Sequence, residues 1–284
     1  MTTYAITGAT GKFGKRALAT LAQLVPDAHI IGLARNTDKA SKSVPAGVEV
    51  RKGDYTDKSS LVTALTGVDK LLFVSSVPGG NMPRQEQHQN VIDAAKEAGV
   101  SYIAYTSYPQ LETAKSPLSG DHKYTEKAIL TAGLNHSFLR NNWYLENELG
   151  TIQGALKGQP FGYIEGKGHV GWAAETDYAD AAAKVLTLDD PKDVYEFAGA
   201  PLLYADLAAI VKQVSDVPFD VHAESDDEFK QGLINHGLDA GTAAAITSMQ
   251  TFISNGDLDE QTSDLTDVLG RPQTDLADVI KSYK

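Results

Sequence analysis

Tyr4-Ala5-Ile6-Thr7-Gly8-Ala9-Thr10-Gly11-Lys12-Phe13-Gly14 is the stretch on which the fold turns. A short apolar strand at Tyr4–Thr7 runs straight into glycines at positions 8, 11 and 14. An amphipathic pattern follows, with Leu18, Leu21 and Val25 at helical spacing. Glycines at this spacing between a strand and a helix allow a tight turn, close approach of a pyrophosphate, and close helix–sheet packing. The helix start adds unpaired N–H groups and the positive end of its dipole, which suit phosphate. A glycine-rich turn with no ligand is the alternative, and the complete βαβ setting argues against it.

Outward from this loop, short apolar runs alternate with amphipathic segments, the pattern of a parallel sheet. Strands are expected at Tyr4–Thr7, His29–Ala34, Glu49–Lys52, Lys70–Val74, Tyr102–Thr106 and His136–Leu139. Val91, Ile92, Ala95 and Ala98 mark the helix after the fourth strand, and Gly99 follows as its C-terminal cap. After about Gly150 the texture changes. Phe161–Ile164 reads as a short strand, Asp177–Leu188 as an alanine-rich helix, and Val194–Phe197 as one more strand. The tail is mostly helical. Ser225-Asp226-Asp227-Glu228 forms a capping box, Gly270-Arg271-Pro272 ends one helix, and Thr274 is expected to cap the last.

The expected fold class is therefore α/β: a Rossmann-type doubly wound parallel sheet of six or seven strands with a smaller, mostly helical C-terminal substrate lobe. Residues 1–150 form the dinucleotide-binding Rossmann domain. Residues 151–284 return strand and helix to the main sheet and then build the lobe.

Composition narrows the function. The chain of 284 residues has no cysteine, which excludes disulfides and thiolate chemistry. Its formal net charge is −12, with acids gathered late at Asp226, Asp227, Glu228, Asp257, Asp259 and Glu260. Direct nucleic-acid binding needs a basic footprint that this chain lacks. No signal-like N-terminus or membrane-length apolar run is visible, so the expectation is a cytoplasmic protein without membrane insertion. The seven histidines are scattered without zinc-ligand spacing, so no metal site is expected.

The end of the second strand selects the cofactor. An NAD site carries an Asp or Glu there for the ribose 2′-hydroxyl. Here Ile31-Gly32-Leu33-Ala34-Arg35-Asn36 places Arg35 at that point, with Lys39 and Lys42 close by. A guanidinium suits a 2′-phosphate through bidentate, charge-assisted contacts, so NADPH is favoured.

Together with the glycine loop and Arg35-Asn36, three further stretches resemble a known family: Gly53-Asp54-Tyr55, Ile103-Ala104-Tyr105-Thr106-Ser107, and Leu139-Arg140-Asn141-Asn142-Trp143-Tyr144-Leu145-Glu146-Asn147. They look like the NmrA-like branch of atypical short-chain dehydrogenases, nearest to type 2 NAD(P)H:quinone oxidoreductases and triphenylmethane dye reductases. The likeness runs nearly end to end, and Leu139–Asn147 is its most discriminating part. The resemblance implies that Gly8, Thr10, Gly11, Lys12, Phe13 and Gly14 hold the phosphates and Arg35 the 2′-phosphate. It places Asp54 and Tyr55 beside the adenine, and Ser75, Ser76, Tyr105, Thr106 and Ser107 along the crevice. Asn141, Asn142 and Tyr144 are expected to reach the nicotinamide end.

Standard short-chain dehydrogenases carry a tyrosine and a lysine four residues apart on the helix after the fifth strand, the tyrosine serving as acid. This chain has Tyr124 and Lys127, three apart, and puts His122 and Glu126 at the four-residue spacing. Alcohol–ketone chemistry by the usual route is thereby disfavoured. Quinones, cationic dyes and azo compounds accept hydride directly, so positioning and water exclusion become the main tasks. His122, Asn142 and Tyr144 are the catalytic candidates, with Tyr108 a further nearby hydroxyl. The structural alternatives are a His122–Glu126 contact and pocket-wall packing for the tyrosines. Arg140 and Glu146 are read as structural polar contacts at the sheet edge, and His169 as a loop residue. The leading function is an NADPH-dependent reductase of a small-molecule electron acceptor, acting as monomer or homodimer. The alternative is an NADP(H)-binding redox sensor that regulates a protein partner without turnover.

Overall fold

The computed structural model describes all residues from Met1 to Lys284. In chain order the first half runs β1 (Thr3–Ile6), α1 (Lys12–Leu24), β2 (His29–Ala34), α2 (Thr37–Ser41), β3 (Glu49–Lys52), α3 (Lys58–Leu65), β4 (Lys70–Phe73), α4 (Arg84–Ala98), β5 (Tyr102–Ser107), α5 (Pro117–Ala132) and β6 (Asn135–Asn141). A 3₁₀ turn at Leu145–Glu148 leads into α6 (Leu149–Ala155), β7 (Phe161–Ile164), α7 (Glu175–Thr187) and β8 (Val194–Phe197). The remainder is α8 (Tyr204–Val214), β9 (Val221–Glu224), α9 (Asp226–Asn235), α10 (Ala240–Ser254), α11 (Asp264–Leu269) and α12 (Leu276–Lys281).

Seven strands pair in the order β3-β2-β1-β4-β5-β6-β8, all parallel. The chain winds outward from β1 through β2 to β3, then crosses back to β4. The strand order therefore reverses between β1 and β4, where a doubly wound sheet opens its ligand crevice.

Alternation along each strand feeds two cores. Ile6, Leu72, Ala104 and Leu139 face α1 and α7, while Ala5, Ile31, Leu71, Phe73, Ile103 and Tyr105 face α3, α4 and α5. Each large apolar side chain buried this way contributes roughly 1.5–3 kcal/mol. Ala179, Ala182 and Ala183 let α7 approach α1 closely. Arg16 then clamps Asp180 of α7 through two 2.7 Å contacts. Arg271 reaches Asp177 at 2.7 Å and ties the tail to the same helix.

A third core seats the C-terminal lobe over the carboxyl ends of the strands. Phe161, Trp172, Tyr204, Leu207, Ile253, Leu258 and Ile280 pack with Tyr108 and Leu111 from the loop after β5 and with Leu145. The strand at Phe161–Ile164 stands outside the main sheet and pairs in parallel with β9.

Gly99 caps α4 in the left-handed conformation, with φ 77°. The Ser225–Glu228 capping box opens α9. The last helix corrects the expectation for Thr274: Asp275 is its cap and accepts from Ala277 and Asp278, while Thr274 turns its N–H to Asp177 at 2.6 Å. A carboxylate two residues from free helix N–H groups outcompetes a hydroxyl already engaged elsewhere. No helix is long and apolar enough to cross a membrane.

Candidate active site

The glycine loop is stitched to both neighbours of β1. Thr7 donates its N–H to the Leu72 carbonyl and Ala9 donates to that of Leu33. Gly8 turns with φ 65°, a conformation that L side chains rarely adopt. A Cβ on Gly14 would collide with the Gly8 carbonyl, so this glycine serves the packing of α1 on the loop. A Cβ on Gly11 would meet only Gly8 O, at 3.3 Å, and its remaining side is open. Gly8, Gly11 and Lys12 are exposed. No side chain caps α1 and no acid lies in its first turn. Its positive end is thus left to an anion. The Glu175 carboxyl at the start of α7 lies near the Phe13 N–H and Lys12; burial and Glu146 raise it above the usual carboxylate range against both.

Arg35 projects from the tip of β2, exposed and with no ion pair. Asn36 caps α2 by accepting from Lys39 N–H at 2.8 Å. Asp54 closes its own turn by accepting the Thr56 N–H at 2.9 Å. The Tyr55 hydroxyl lies 2.5 Å from Thr7 Oγ1 and 2.6 Å from the Val74 carbonyl, which fixes the chain leaving β4. Ser75 donates its N–H to Thr106 Oγ1 at 2.8 Å. Tyr55, Thr7, Val74, Ser75 and Thr106 are thereby tied together beside the β1/β4 reversal, while Arg35 and Asp54 follow the ends of β2 and β3.

The place of the usual tyrosine–lysine pair is rebuilt. Ser107 donates to Glu126 at 2.6 Å, and Arg140 contacts Glu126 at 2.8 Å. Arg140 also reaches Glu112 and Glu196, each at 2.9 Å, which bears out its structural role. His122 does not pair with Glu126, contrary to the sequence expectation. Its Nε2 accepts from Arg84 Nη1 at 3.2 Å, and its Nδ1 lies 2.9 Å from the Tyr105 hydroxyl. Spacing put both side chains on one face of α5, but Arg140 and Ser107 offer Glu126 stronger partners than a neutral imidazole. Burial, then Arg84 and His88, push the His122 pKa well down, so the ring is neutral. Tyr124 is exposed and donates to Gln89, away from the crevice.

Beyond β6 the side chains divide. The Asn142 amide is fully committed: it accepts from Trp143 N–H at 2.9 Å and Gly171 N–H at 3.2 Å, and donates to the Leu258 carbonyl at 3.1 Å. It fastens three segments and presents no free polar atom. Asn141 donates to the Tyr144 hydroxyl at 2.9 Å, and its Oδ1 is buried with no partner. Tyr144 lies between Phe13, at a ring separation of 6.2 Å, and Tyr178, at 4.9 Å. Burial keeps its hydroxyl protonated above the ordinary tyrosine range. Tyr108 donates to Asp257 at 3.1 Å. Glu146 accepts the Glu175 N–H at 2.8 Å, and His169 meets Asp259 at 3.1 Å.

An open helix start, a free Arg35 and an orphaned buried acceptor at Asn141 fit a dinucleotide lying across the sheet. Sheet order and crevice together define a Rossmann-class dinucleotide-binding protein. Residues 8–187 match the model of the NAD(P)H-binding family, and the chain belongs to that family. It is 37% identical over 278 residues to quinone oxidoreductase 2 of Escherichia coli, spanning 97% of this chain and 96% of the relative. Among solved structures, the Escherichia coli NADPH-dependent quinone oxidoreductase complexed with NADPH gives a TM-score of 0.91 at 37% identity, covering 98% of this chain and 99% of that one. The Citrobacter sp. triphenylmethane reductase complexed with NADP(H) gives 0.91 at 34% identity, covering 99% and 100%. The resemblance read from the sequence is borne out by these relatives.

Proposed function

We propose that this protein is an NADPH-dependent reductase that passes hydride to a quinone or a similar conjugated acceptor such as a dye or azo compound. The observation that carries the reading is the rebuilt tetrad. The crevice keeps the features that suit NADPH, while the helix position of the usual acid holds a neutral His122 committed to Arg84 and Tyr105. An acceptor that takes hydride without an obligatory protein acid is the chemistry left.

When bound, NADPH would supply the hydride; the one proton that completes reduction of a quinone would come from solvent or a nearby hydroxyl, and a cationic dye would need none. The loop from Gly8 to Gly14 and the α1 N–H groups hold the phosphates, and Arg35 pairs with the 2′-phosphate. Asn141 Oδ1 takes a donor from the nicotinamide end. Tyr144 packs beside that end and keeps its proton because it is buried, while Asn141 donates to its oxygen and fixes its orientation. Asn142 and His122 act by holding neighbouring segments in place. The C-terminal lobe excludes water, which favours transfer between positioned reactants. The cytoplasm is the proposed compartment.

The test is oxidation of NADPH by the purified protein, followed at the nicotinamide absorbance band, with a panel of quinones and triphenylmethane dyes. Turnover with at least one class supports the reductase. Tight NADPH binding with no turnover across the panel would favour the redox sensor.

A further inference from the structure

The chain leaving β4 lies at the reversal of strand order, yet no ladder holds it. Strand pairing with β1 ends at Leu72 and with β5 at Phe73. Beyond that point side chains take over. Val74 donates its N–H to Thr7 Oγ1 at 2.9 Å, and Ser75 donates to Thr106. Ser76 is gripped from both sides: its N–H donates to His88 Nε2 at 3.0 Å, and its carbonyl accepts from Arg84 Nε at 2.7 Å. The next residues, Val77 to Asn81, are exposed and include two glycines. Ser76 is thus the last fixed peptide before an open loop.

We propose that His88, with Arg84, is a positioning residue for the nicotinamide half of NADPH, acting through the Ser76 peptide. His88 is fully buried on α4. The network fixes its tautomer. Thr125 donates its hydroxyl to the Asp121 carbonyl at 2.7 Å, so it accepts from His88 Nδ1 at 2.8 Å. The proton therefore sits on Nδ1, and Nε2 is left as the acceptor that the Ser76 N–H requires. Burial and the adjacent Arg84 push the pKa down to about 3, which preserves this arrangement at neutral pH. Arg84 Nη1 meanwhile holds His122, so one guanidinium joins the strap to α5. Arg84 and His88, one helical turn apart, together set the height of the crevice lip.

This inference rests on the placement of the cofactor in the crevice, and the experiment separates the two. Calorimetric titration uses two ligands: NADPH, and 2′-phospho-ADP-ribose, the same molecule without nicotinamide. Loss of one buried hydrogen bond predicts that His88→Phe weakens NADPH about tenfold while leaving the fragment within about twofold. His88→Gln, which offers an amide oxygen to Ser76, restores NADPH binding to within about threefold of wild type on the same reasoning. Arg84→Met, which frees the Ser76 carbonyl and removes with it the contact to His122, shows the same selective loss and serves if His88→Phe does not fold. Unchanged NADPH affinity in both disruptive variants, equal loss of both ligands, or no rescue by glutamine overturns the positioning role. Failure of the wild-type protein to bind either ligand overturns the crevice assignment itself, and the positioning role with it.

Discussion

Ser107 at the end of β5 donates to Glu126 on α5 at 2.6 Å, and Glu126 stands at the helix position where a standard short-chain dehydrogenase carries its lysine. Arg140 supplies the neutralising charge instead, from the next strand. Tyr124 and Lys127 look outward on the same helix. Tyr124→Phe and Lys127→Ala should therefore keep quinone reduction within about threefold of wild type, whereas loss of a true acid costs about 10²–10⁴ in rate. Steady-state kinetics decides this. Loss of nearly all kcat in Tyr124→Phe with cofactor binding intact would make that tyrosine the proton donor.

Arg35 is exposed and unpaired at the tip of β2, which leaves its guanidinium free for a 2′-phosphate. Titration should show tighter binding of NADPH than of NADH. Arg35→Asp should reverse the order, removing the phosphate partner and supplying an acceptor for the 2′-hydroxyl. Equal affinities in the wild-type protein would contradict the assignment.

Two glycines of the loop should fail differently. A side chain at Gly11 meets little of the protein, so Gly11→Val should fold and lose NADPH binding. A side chain at Gly14 strikes the Gly8 carbonyl, so Gly14→Ala should lower Tm sharply. Circular dichroism melts and cofactor titration separate the two outcomes. Normal NADPH binding by a folded Gly11→Val would place the phosphates elsewhere.

The inner strands were legible because they are buried on both faces and read as apolar runs, and His29–Ala34 matches to the residue. The edge strands Glu49–Lys52 and Val194–Phe197, less buried, match through their place in the alternation of strand and helix. Strand β9 escaped because Val221-His222-Ala223-Glu224 is half exposed and pairs only with β7. Within the site, the glycine loop and Arg35 are local signals. The Ser76 clamp is not local: its partners lie 8 and 12 residues away, and Thr125 lies 37 from His88. The i,i+4 spacing of Arg84 and His88 was the only hint. The same spacing misled at His122 and Glu126, because a helix face shows what points together and not which neighbour arrives from another strand.

Glu260 is pushed up to about 8 by burial and by the adjacent Glu196. A carboxyl raised in this way stabilises the fold below the ordinary carboxylate range, and that stability is lost as pH rises through about 8. Tm should fall between pH 5 and pH 9, by about a few degrees. Glu260→Gln should flatten the fall. An unchanged pH profile in the variant would assign the dependence to another group.

On the proposed function this crevice passes hydride from NADPH to an acceptor, and the buried, unpartnered Oδ1 of Asn141 is the group proposed to hold the nicotinamide end. The most direct measurement is a single-turnover stopped-flow experiment, mixing the protein–NADPH complex with excess quinone and following the nicotinamide absorbance. One burst of oxidation stoichiometric with bound NADPH is expected, slowed by NADPH deuterated at the transferred position. Asn141→Ala should slow it about tenfold or more, with smaller effect on binding, as expected for a misplaced reactant. Bound NADPH that stays reduced with every acceptor, or a burst unaffected by Asn141→Ala, would contradict the proposed function.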